Sequence, residues 1–359
     1  MAQQEPQRAI TDTTLIDTDI HVMGAMGFGE LTRYLEEPYR SHVEHPTIFP
    51  LPVSGWNRNI GDKIEGGNLT GPEDIQETLC EGFGVDYPIL NTTSWLPRLP
   101  QTDLAIALMR AYNDLLIDKF LDDYDDFRGL LTIATQDPEA AAEEIDRLGD
   151  ERGIVGVYIA TTGPQTPLGD ERYDVVYDAA EDHDLAVVYH ASGGAFQFDF
   201  NRQNQALEKF FSVHTLTHPW GQMLTLASLI ANGTPEKFPD LEFVFLEAGL
   251  LWAPYMMYRM NREYSMRRSE LPLLQKSPEE YVRERMYFST QPLGEPNDSA
   301  HVNHVIELLG PESIVFSTDY PHWDFDSPEA IDRFFAGLPQ EDREKILYRN
   351  AADVFGIDP

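Results

Sequence analysis

The chain of 359 residues has few of the residues on which several protein classes depend. Its one cysteine, Cys80, can form neither an internal disulfide nor a multi-cysteine zinc site. It has 26 lysines and arginines against 61 aspartates and glutamates, a formal net charge of −35. Because phosphate contacts need clustered cationic side chains, this balance argues against nucleic-acid binding. No apolar run approaches the length of a membrane-spanning helix, so we expect no membrane partner.

Acidic charge is abundant, together with enough apolar residues to fold. Hydrophobic residues make up 42% of the chain and aromatic residues 11%, more than a disordered acidic chain contains. A dense acidic surface repels itself unless salt screens it, so we hypothesise that the protein works in a high-salt cytoplasm. The alternative is an ordinary acidic mesophilic protein. The first residues lack a hydrophobic signal core, which also favours a cytoplasmic location.

Eight short apolar segments alternate with helical segments along the chain. The predicted strands cover residues 15–21, 86–90, 129–134, 154–160, 186–190, 242–246, 286–289 and 314–318. Such near-continuous apolar runs are typical of buried parallel strands. The pattern predicts a single α/β domain over residues 1–359, a (β/α)8 TIM barrel. A doubly wound open sheet is the alternative, but no glycine-rich phosphate loop follows any strand.

Two connections are longer than a barrel requires, and we interpret them as insertions after strands one and six (residues 22–85 and 248–285). We expect 22–85 to form a lid or a homo-oligomer contact. Helices are predicted over 102–124, from Asp137-Pro138, and over 174–182, 219–231 and 299–309. Pro219 is interpreted as the first residue of its helix, since proline favours that position.

Polar residues end four of the predicted strands: Asp17, Asp19 and His21 on strand one, His190 on strand five, Glu247 after strand six and Asp319 after strand eight. The residues of strand one share a face with Leu15, which predicts that this face points into the barrel. The catalytic groups of TIM barrels lie at these carboxyl ends. Because buried carboxylates need a cation or hydrogen-bond partners, we expect a divalent metal ion here. Imidazole and carboxylate ligands suit zinc, manganese or iron.

Three segments resemble motifs of the amidohydrolase superfamily, in the branch related to aminocarboxymuconate-semialdehyde decarboxylase. They are Asp17-Thr-Asp19-Ile-His21, Val188-Tyr189-His190 and Ser317-Thr318-Asp319-Tyr320-Pro321-His322-Trp323. The resemblance extends over about residues 12–357. It implies a mononuclear site for one divalent ion, zinc or manganese, with Asp19, His21, His190 and Asp319 as ligands. Asp19 stands where the type pattern has histidine, which favours a harder, manganese-like ion.

Two chemistries fit such a site for a small-molecule substrate. One is decarboxylation, a C–C lyase reaction, of a small carboxylated and aromatic compound. The other is hydrolysis of a C–C, ester or amide carbonyl by metal-activated water, with Asp319 accepting a proton and Glu247 or His218 moving it. The resemblance favours decarboxylation. Glu247 favours hydrolysis, because the type enzyme has a histidine at that position. A barrel that binds a metal without turnover is a third interpretation.

Four further residues have two interpretations each. His218 precedes Pro219 and is either an acid or base at the mouth or a packed loop histidine. His322 either hydrogen-bonds substrate or supports a metal ligand. Arg202, in the loop after strand five, either binds a substrate carboxylate or forms a surface ion pair. Trp252 either walls an apolar pocket or packs in the core.

The salt hypothesis predicts that the melting temperature rises from low to molar KCl. The reason is that the screening length falls from about 30 Å at 0.01 M to about 3 Å at 1 M salt, which weakens repulsion among the surface carboxylates. Thermal scans across a KCl series measure this, and a sucrose series controls for exclusion of solutes from the surface. A flat response to KCl would contradict the hypothesis.

Overall fold

Eight parallel strands form one sheet, in which each strand pairs with the next along the chain. The computed structural model describes residues 13–22, 28–44, 69, 71–92, 96–164, 166–191, 207, 209–294 and 296–359. The strands are β1 Ile16–His21, β2 Tyr87–Asn91, β3 Arg128–Thr132, β4 Ile154–Ala160, β5 Ala186–His190, β6 Phe243–Leu246, β7 Met286–Ser289 and β8 Ile314–Val315. All eight predicted strands are therefore present, within two residues at each end except for the shorter β8.

Backbone hydrogen bonds join the residues after β8 to β1. Thr18 N donates to Phe316 O at 3.1 Å, and His21 N donates to Tyr320 O at 2.8 Å. Ile20 and Tyr320 form a parallel bridge. The sheet therefore curls back on its first strand, and the predicted TIM barrel is confirmed.

A buried side-chain contact reinforces this closure. Asp17 accepts two hydrogen bonds from Thr318, one from the backbone N at 3.0 Å and one from Oγ1 at 2.5 Å. Asp17 and Thr318 are both fully buried. Burial raises the pKa of Asp17 to about 7, although these hydrogen bonds favour its ionised form. Asp17 thus connects the first strand to the last, and its Oδ1 also accepts a hydrogen bond from Asp19 N at 3.2 Å.

Helices cover the outside of the barrel. They are α1 Phe28–Leu31, α2 Tyr39–Glu44, α3 Pro72–Ile75, α4 Thr102–Leu116, α5 Pro138–Leu148, α6 Asp174–Asp182, α7 Phe210–Ala231, α8 Thr234–Lys237, α9 Trp252–Arg267, α10 Pro278–Arg285, α11 Ser299–Leu309, α12 Pro328–Phe335, α13 Gln340–Glu344 and α14 Asn350–Val354. π-helical turns, Gln76–Phe83, Ile117–Leu121 and Lys345–Arg349, extend α3, α4 and α13. None of the helices in the described ranges is long and apolar enough to cross a membrane.

The apolar core has two layers, one inside the barrel and one between the sheet and the helices. The layer to which a strand residue belongs indicates whether its side chain faces the barrel interior. Val188 and Val244 belong to an inner cluster that also contains Ile16. The residues directly before and after Val188 and Val244 belong to an outer cluster, which the strands share with the helices. Leu15 also belongs to this outer cluster. The prediction that Leu15 points inward is therefore wrong. The pairing of β1 with β2 shifts register between Asp17 and Ile20, and such a bulge reverses which residues face inward.

The start of α7 also differs from the prediction. The helix begins at Phe210, nine residues before Pro219, which lies inside it. Proline removes one helical hydrogen bond, at a cost of about 3 kcal/mol. Val213 and Thr217 are buried on the turns before Pro219, and Thr217 Oγ1 donates to Val213 O at 3.0 Å. Tertiary packing of this face compensates for the proline, as it does for most helices in folded proteins.

The other predicted helices agree with the structure more closely. Asp137 caps α5 by accepting a hydrogen bond from Ala140 N, with Pro138 at the first helical position. α6 and α11 match the predicted ranges, and α4 ends at Leu116 before its π-helical turn. In the insertion 22–85, the described segments place Leu35, Val43 and Leu79 in the core. Its role as a lid or oligomer contact stays a prediction.

Closure of the barrel through Asp17 can be tested by substituting Thr318→Val. The variant keeps the side-chain shape but removes a donor to a buried carboxylate, so we expect the free energy of unfolding to fall by about 1–3 kcal/mol. Urea denaturation measures this. The exposed Thr215→Val is the control, since Thr215 Oγ1 donates only to Phe211 O on the surface of α7, and it should change stability by less than about 0.5 kcal/mol. Equal losses in both variants would contradict a special role for the closure.

Candidate metal centre

Four buried side chains meet at the carboxyl ends of β1, β5 and β8: Asp19, His21, His190 and Asp319. One potential ligand atom from each lies within 4.8 Å of those of the other three. His21 Nε2 lies 2.9 Å from Asp319 Oδ1 and 3.3 Å from Asp19 Oδ1. His190 Nε2 lies 3.3 Å from Asp19 Oδ1 and 3.2 Å from His21 Nε2. The four residues that the resemblance implied as ligands therefore face one another.

The backbone places two of the carboxylates in an unusual conformation. Glu247 follows β6 with a φ of 57°, and Asp319 follows β8 with a φ of 64°. This left-handed region costs a non-glycine residue roughly 1–2 kcal/mol. Hydrogen bonds hold both positions: Asp319 N donates to Asp19 O at 3.1 Å, and Glu247 N donates to Ser289 Oγ at 3.1 Å. Strained residues of this kind cluster at functional sites.

Three polar side chains support the carboxylates of the cluster. Asn91 Nδ2 donates to Asp19 Oδ1 at 2.5 Å, and Gln291 Nε2 donates to Asp319 Oδ2 at 3.1 Å. His322 Nδ1 lies 2.7 Å from Asp319 Oδ1. The sequence reasoning missed Asn91 and Gln291. Asn91 ends β2, and the rule that polar residues at strand ends approach the site would have identified it had that strand been extended by one residue.

The chemical groups of the cluster are suited to binding a cation. Asp19 Oδ2 is buried and accepts no hydrogen bond from the described residues. A buried carboxylate oxygen without a partner is costly unless a positive charge compensates it. Two carboxylates and two imidazoles form a ligand set that zinc, manganese and iron accept. The residues therefore fit a divalent metal ion on their own geometry.

The pKa directions show that the cluster attracts positive charge. Burial opposes ionisation of Asp19, but the imidazoles of His190 and His21 outweigh it and hold the Asp19 pKa well below its usual range. Burial and the neighbouring His322 would lower the pKa of His21, yet Asp19 and Asp319 raise it to about 9. The His190 pKa is raised in the same way, against its burial. Without a metal ion, protons on the imidazoles would balance the carboxylates.

A second group adjoins the first. Glu247 Oε2 lies 3.5 Å from His190 Nδ1, and Glu247 Oε1 lies 3.3 Å from His218 Nε2. Despite burial, the imidazoles of His218 and His190 lower the pKa of Glu247, and Glu247 raises that of His218. This pair therefore favours a carboxylate beside an imidazolium. The predicted acid–base candidates Glu247 and His218 lie beside the cluster, although His218 is on a helix rather than a loop.

The remaining predicted site residues have different surroundings. His322 is hydrogen-bonded to Asp319, and its ring lies 4.1 Å from that of His21. Trp252 is buried between Phe245 and Phe288, with ring centroids 5.8 and 5.4 Å away. This outer-layer packing agrees with the interpretation of Trp252 as a core residue. Arg202 lies outside the described residues.

A closed (β/α)8 barrel with a buried carboxylate–imidazole cluster at the carboxyl ends of its strands defines the class of this protein. The family model described as Amidohydrolase matches residues 101–357. The chain therefore belongs to the amidohydrolase family, as the strand-end motifs predicted. Its relatives also confirm the predicted decarboxylase branch.

Known proteins similar to this chain span nearly its whole length. Gamma-resorcylate decarboxylase from Rhodococcus jostii (strain RHA1) is 26% identical over 313 residues, which cover 80% of this chain and 88% of the relative. The crystal structure of amidohydrolase map2389c from Mycobacterium avium subsp. paratuberculosis K-10 has a TM-score of 0.77 at 19% identity, covering 97% of this chain and 100% of that one. That of 5-carboxyvanillate decarboxylase from Novosphingobium aromaticivorans DSM 12444, complexed with manganese and 4-hydroxy-3-methoxy-5-nitrobenzoic acid, has a TM-score of 0.73 at 20% identity, covering 99% of each chain.

Metal analysis tests the cluster directly. We expect about one divalent ion per chain in the purified protein, and loss of that ion in His190→Ala, because the variant removes one of four ligands. Asn91→Ala should bind the ion about 10- to 100-fold more weakly, since Asn91 orients Asp19. His301→Ala, on the exposed surface of α11, is the control and should keep full occupancy. If the wild-type protein is loaded with manganese or zinc and retains neither ion, the result would contradict the assignment.

Proposed function

We propose that this protein is a metal-dependent decarboxylase of a small hydroxylated aromatic acid. The observation that carries the proposal is the Glu247–His218 pair beside the four-residue cluster, because it supplies a proton next to a site for an anionic substrate. The activities named for the relatives support the substrate class: gamma-resorcylate and 5-carboxyvanillate are both hydroxylated aromatic carboxylates.

Asp19, His21, His190 and Asp319 would hold one divalent ion. When bound, the ion would supply a Lewis acid that orients the substrate carboxylate and an adjacent hydroxyl. We favour manganese over zinc, because half of the ligands are hard carboxylates. The manganese in the 5-carboxyvanillate decarboxylase structure is consistent with this choice.

The reaction needs one proton at the ring carbon that bears the carboxylate. The bond from that carbon to the carboxyl group then breaks, CO₂ leaves, and the bonding electrons return to the ring. We assign the proton to His218 Nε2, which Glu247 keeps protonated. His218 Nδ1 lies 3.3 Å from His214 O, and this contact orients the ring. His218 is nearly inaccessible to solvent, so its proton is protected until substrate enters.

Hydrolysis is the second candidate function. Glu247 favours it, because this residue is a carboxylate that can carry a proton where the type pattern of the family has a histidine. In that case Asp319 or Glu247 would accept the water proton.

We also propose that the acidic surface reflects a high-salt cytoplasm, where screening offsets the net charge of −35.

The two chemistries are separated by measuring CO₂ release from a panel of hydroxybenzoates and unsaturated dicarboxylates in molar KCl. We expect release from a hydroxybenzoate by the manganese-loaded wild type, and none from Asp319→Asn, which loses a ligand carboxylate. Hydrolysis of ester or amide substrates without CO₂ release would favour the second candidate instead.

The variant Glu247→Gln tests whether Glu247 keeps the proton donor His218 protonated. It tests this separately from metal binding. We expect it to keep the ion and to lower kcat by about 10²- to 10⁴-fold, the usual contribution of a general acid or base. Glu242→Gln is the matched control, because Glu242 directly precedes β6, at the opposite end of the strand, and it should keep wild-type kcat. A Glu247→Gln enzyme of full activity would contradict the assignment.

A further inference from the structure

Helix α7 carries His218 at a point where the hydrogen bonding of its own backbone is interrupted. Pro219 directly follows His218 inside the helix. Because proline has no N–H, the helical hydrogen bond that residue 219 would donate to Thr215 O is absent. The helix alone therefore holds His218 less firmly than an unbroken helix would, and contacts between α7 and the strands contribute more to the position of the imidazole.

Gln222 makes two contacts of this kind. It lies one helical turn beyond the proton donor, on the same face of α7, and it is completely buried. Gln222 Nε2 donates to Tyr189 O at 2.9 Å and to Leu246 O at 2.8 Å. Tyr189 directly precedes the ligand candidate His190, and Leu246 directly precedes Glu247. One amide group thus joins α7 to the carboxyl ends of β5 and β6, next to two groups of the site.

Gly221 allows α7 to approach the barrel closely enough for these hydrogen bonds. A Cβ atom at this position would lie 2.5 Å from Thr161 Oγ1 and 3.2 Å from Thr161 Cβ, directly after β4. In a close-packed interior, contacts this short force the helix or Thr161 to move. Thr161 N donates in turn to His190 O at 3.0 Å. The turn of α7 that follows His218 therefore packs against the ends of three neighbouring strands, β4, β5 and β6.

We propose that Gln222 is a positioning residue that sets the distance between His218 and Glu247. This inference rests on the proposed function, in which His218 supplies the proton. Glu247 follows β6 whereas His218 lies on α7, so the 3.3 Å contact between Glu247 Oε1 and His218 Nε2 depends on how the helix lies against the end of that strand. The hydrogen bond from Gln222 to Leu246 O joins these two elements one residue before Glu247.

The kinetic test is Gln222→Met, which approximately keeps the length of the side chain but removes both donors. We expect kcat of the manganese-loaded enzyme to fall about 10- to 100-fold, since a displacement of about 1 Å at a reacting group can cost about 10²-fold in rate. KM should stay within about twofold, because a displaced proton donor weakens binding of the transition state more than that of the substrate. Metal content should stay unchanged.

The matched control is Asn350→Leu, at the opposite end of the barrel. Asn350 Nδ2 donates to Pro311 O and to Ile314 O, both at 2.7 Å, and Ile314 begins β8. This variant also removes two hydrogen bonds to backbone carbonyls. It should therefore lower the melting temperature but leave kcat unchanged.

A double-mutant cycle with His218→Gln separates positioning from a general structural role. If Gln222 acts through His218, adding Gln222→Met to His218→Gln should change kcat by less than about twofold. When His218→Gln is slow, two effects that multiply would overturn the inference, and so would a Gln222→Met enzyme with wild-type kcat. A His218→Gln enzyme with wild-type kcat would contradict the proposed function, and the distance between His218 and Glu247 then tests the inference by itself.

Crystal structures of the manganese-loaded wild type and Gln222→Met measure that distance without any substrate. We expect His218 Nε2 to lie near 3.3 Å from Glu247 Oε1 in the wild type. In the variant we expect more than about 4 Å, beyond hydrogen-bonding distance. An unchanged distance would overturn the inference even if kcat falls. If Gln222→Met does not fold, Gly221→Ala displaces the same turn of α7 through its contact with Thr161, and the same results are expected.

Discussion

The organisation of this barrel depends on the cost of burying negative charge at one end of it. Asp19, Glu247 and Asp319 are nearly or completely buried, where an uncompensated carboxylate is strongly unfavourable. Imidazoles surround them, and hydrogen bonds from Asn91 and Gln291 reach the carboxylates of the ligand cluster. Among the residues that the structure describes, none donates a hydrogen bond to Asp19 Oδ2. A bound cation would compensate this oxygen, and the same need for positive charge explains why the carboxylates raise the pKa values of His21 and His190.

The sequence predicted the features that depend on periodicity and on strand ends. Apolar runs located all eight strands, and polar residues at the ends of four of them located the region of the cluster. The resemblance to the amidohydrolase superfamily then selected Asp19, His21, His190 and Asp319 from among them. The orientation of Leu15 could not be predicted correctly from sequence. It depends on a bulge in β1, which arises from the pairing of β1 with β2 and is not visible in the sequence of β1 alone. The register shift lies between Asp17 and Ile20, and Asp19 and His21 nevertheless meet His190 and Asp319 at the end of the barrel.

Helix α7 shows a different limit of sequence reasoning. Pro219 favours a helix start by its local chemistry, yet packing of the turn before it extends the helix to Phe210. The helix has one face that is buried toward the site and one face that is exposed. His218 and Gln222 are buried toward the site, and Gln222 Nε2 donates to Tyr189 O and Leu246 O at 2.9 and 2.8 Å. Trp220 and Leu224 lie on the exposed face. Local proline chemistry and tertiary packing thus favour different starting residues for this helix, and packing determines the start at Phe210.

Closure of the barrel has a consequence for when the four-residue cluster forms during synthesis. Asp19 and His21 belong to the first strand, whereas Asp319 follows the last, so 300 residues separate Asp19 from Asp319, two members of one cluster. The ribosome must release nearly the whole chain before β8 can pair with β1. A nascent chain therefore exposes a half-formed ligand set until translation is almost complete. The four-residue cluster is therefore complete only when nearly the whole chain has left the ribosome, and an ion that needs all four side chains can bind only after that point.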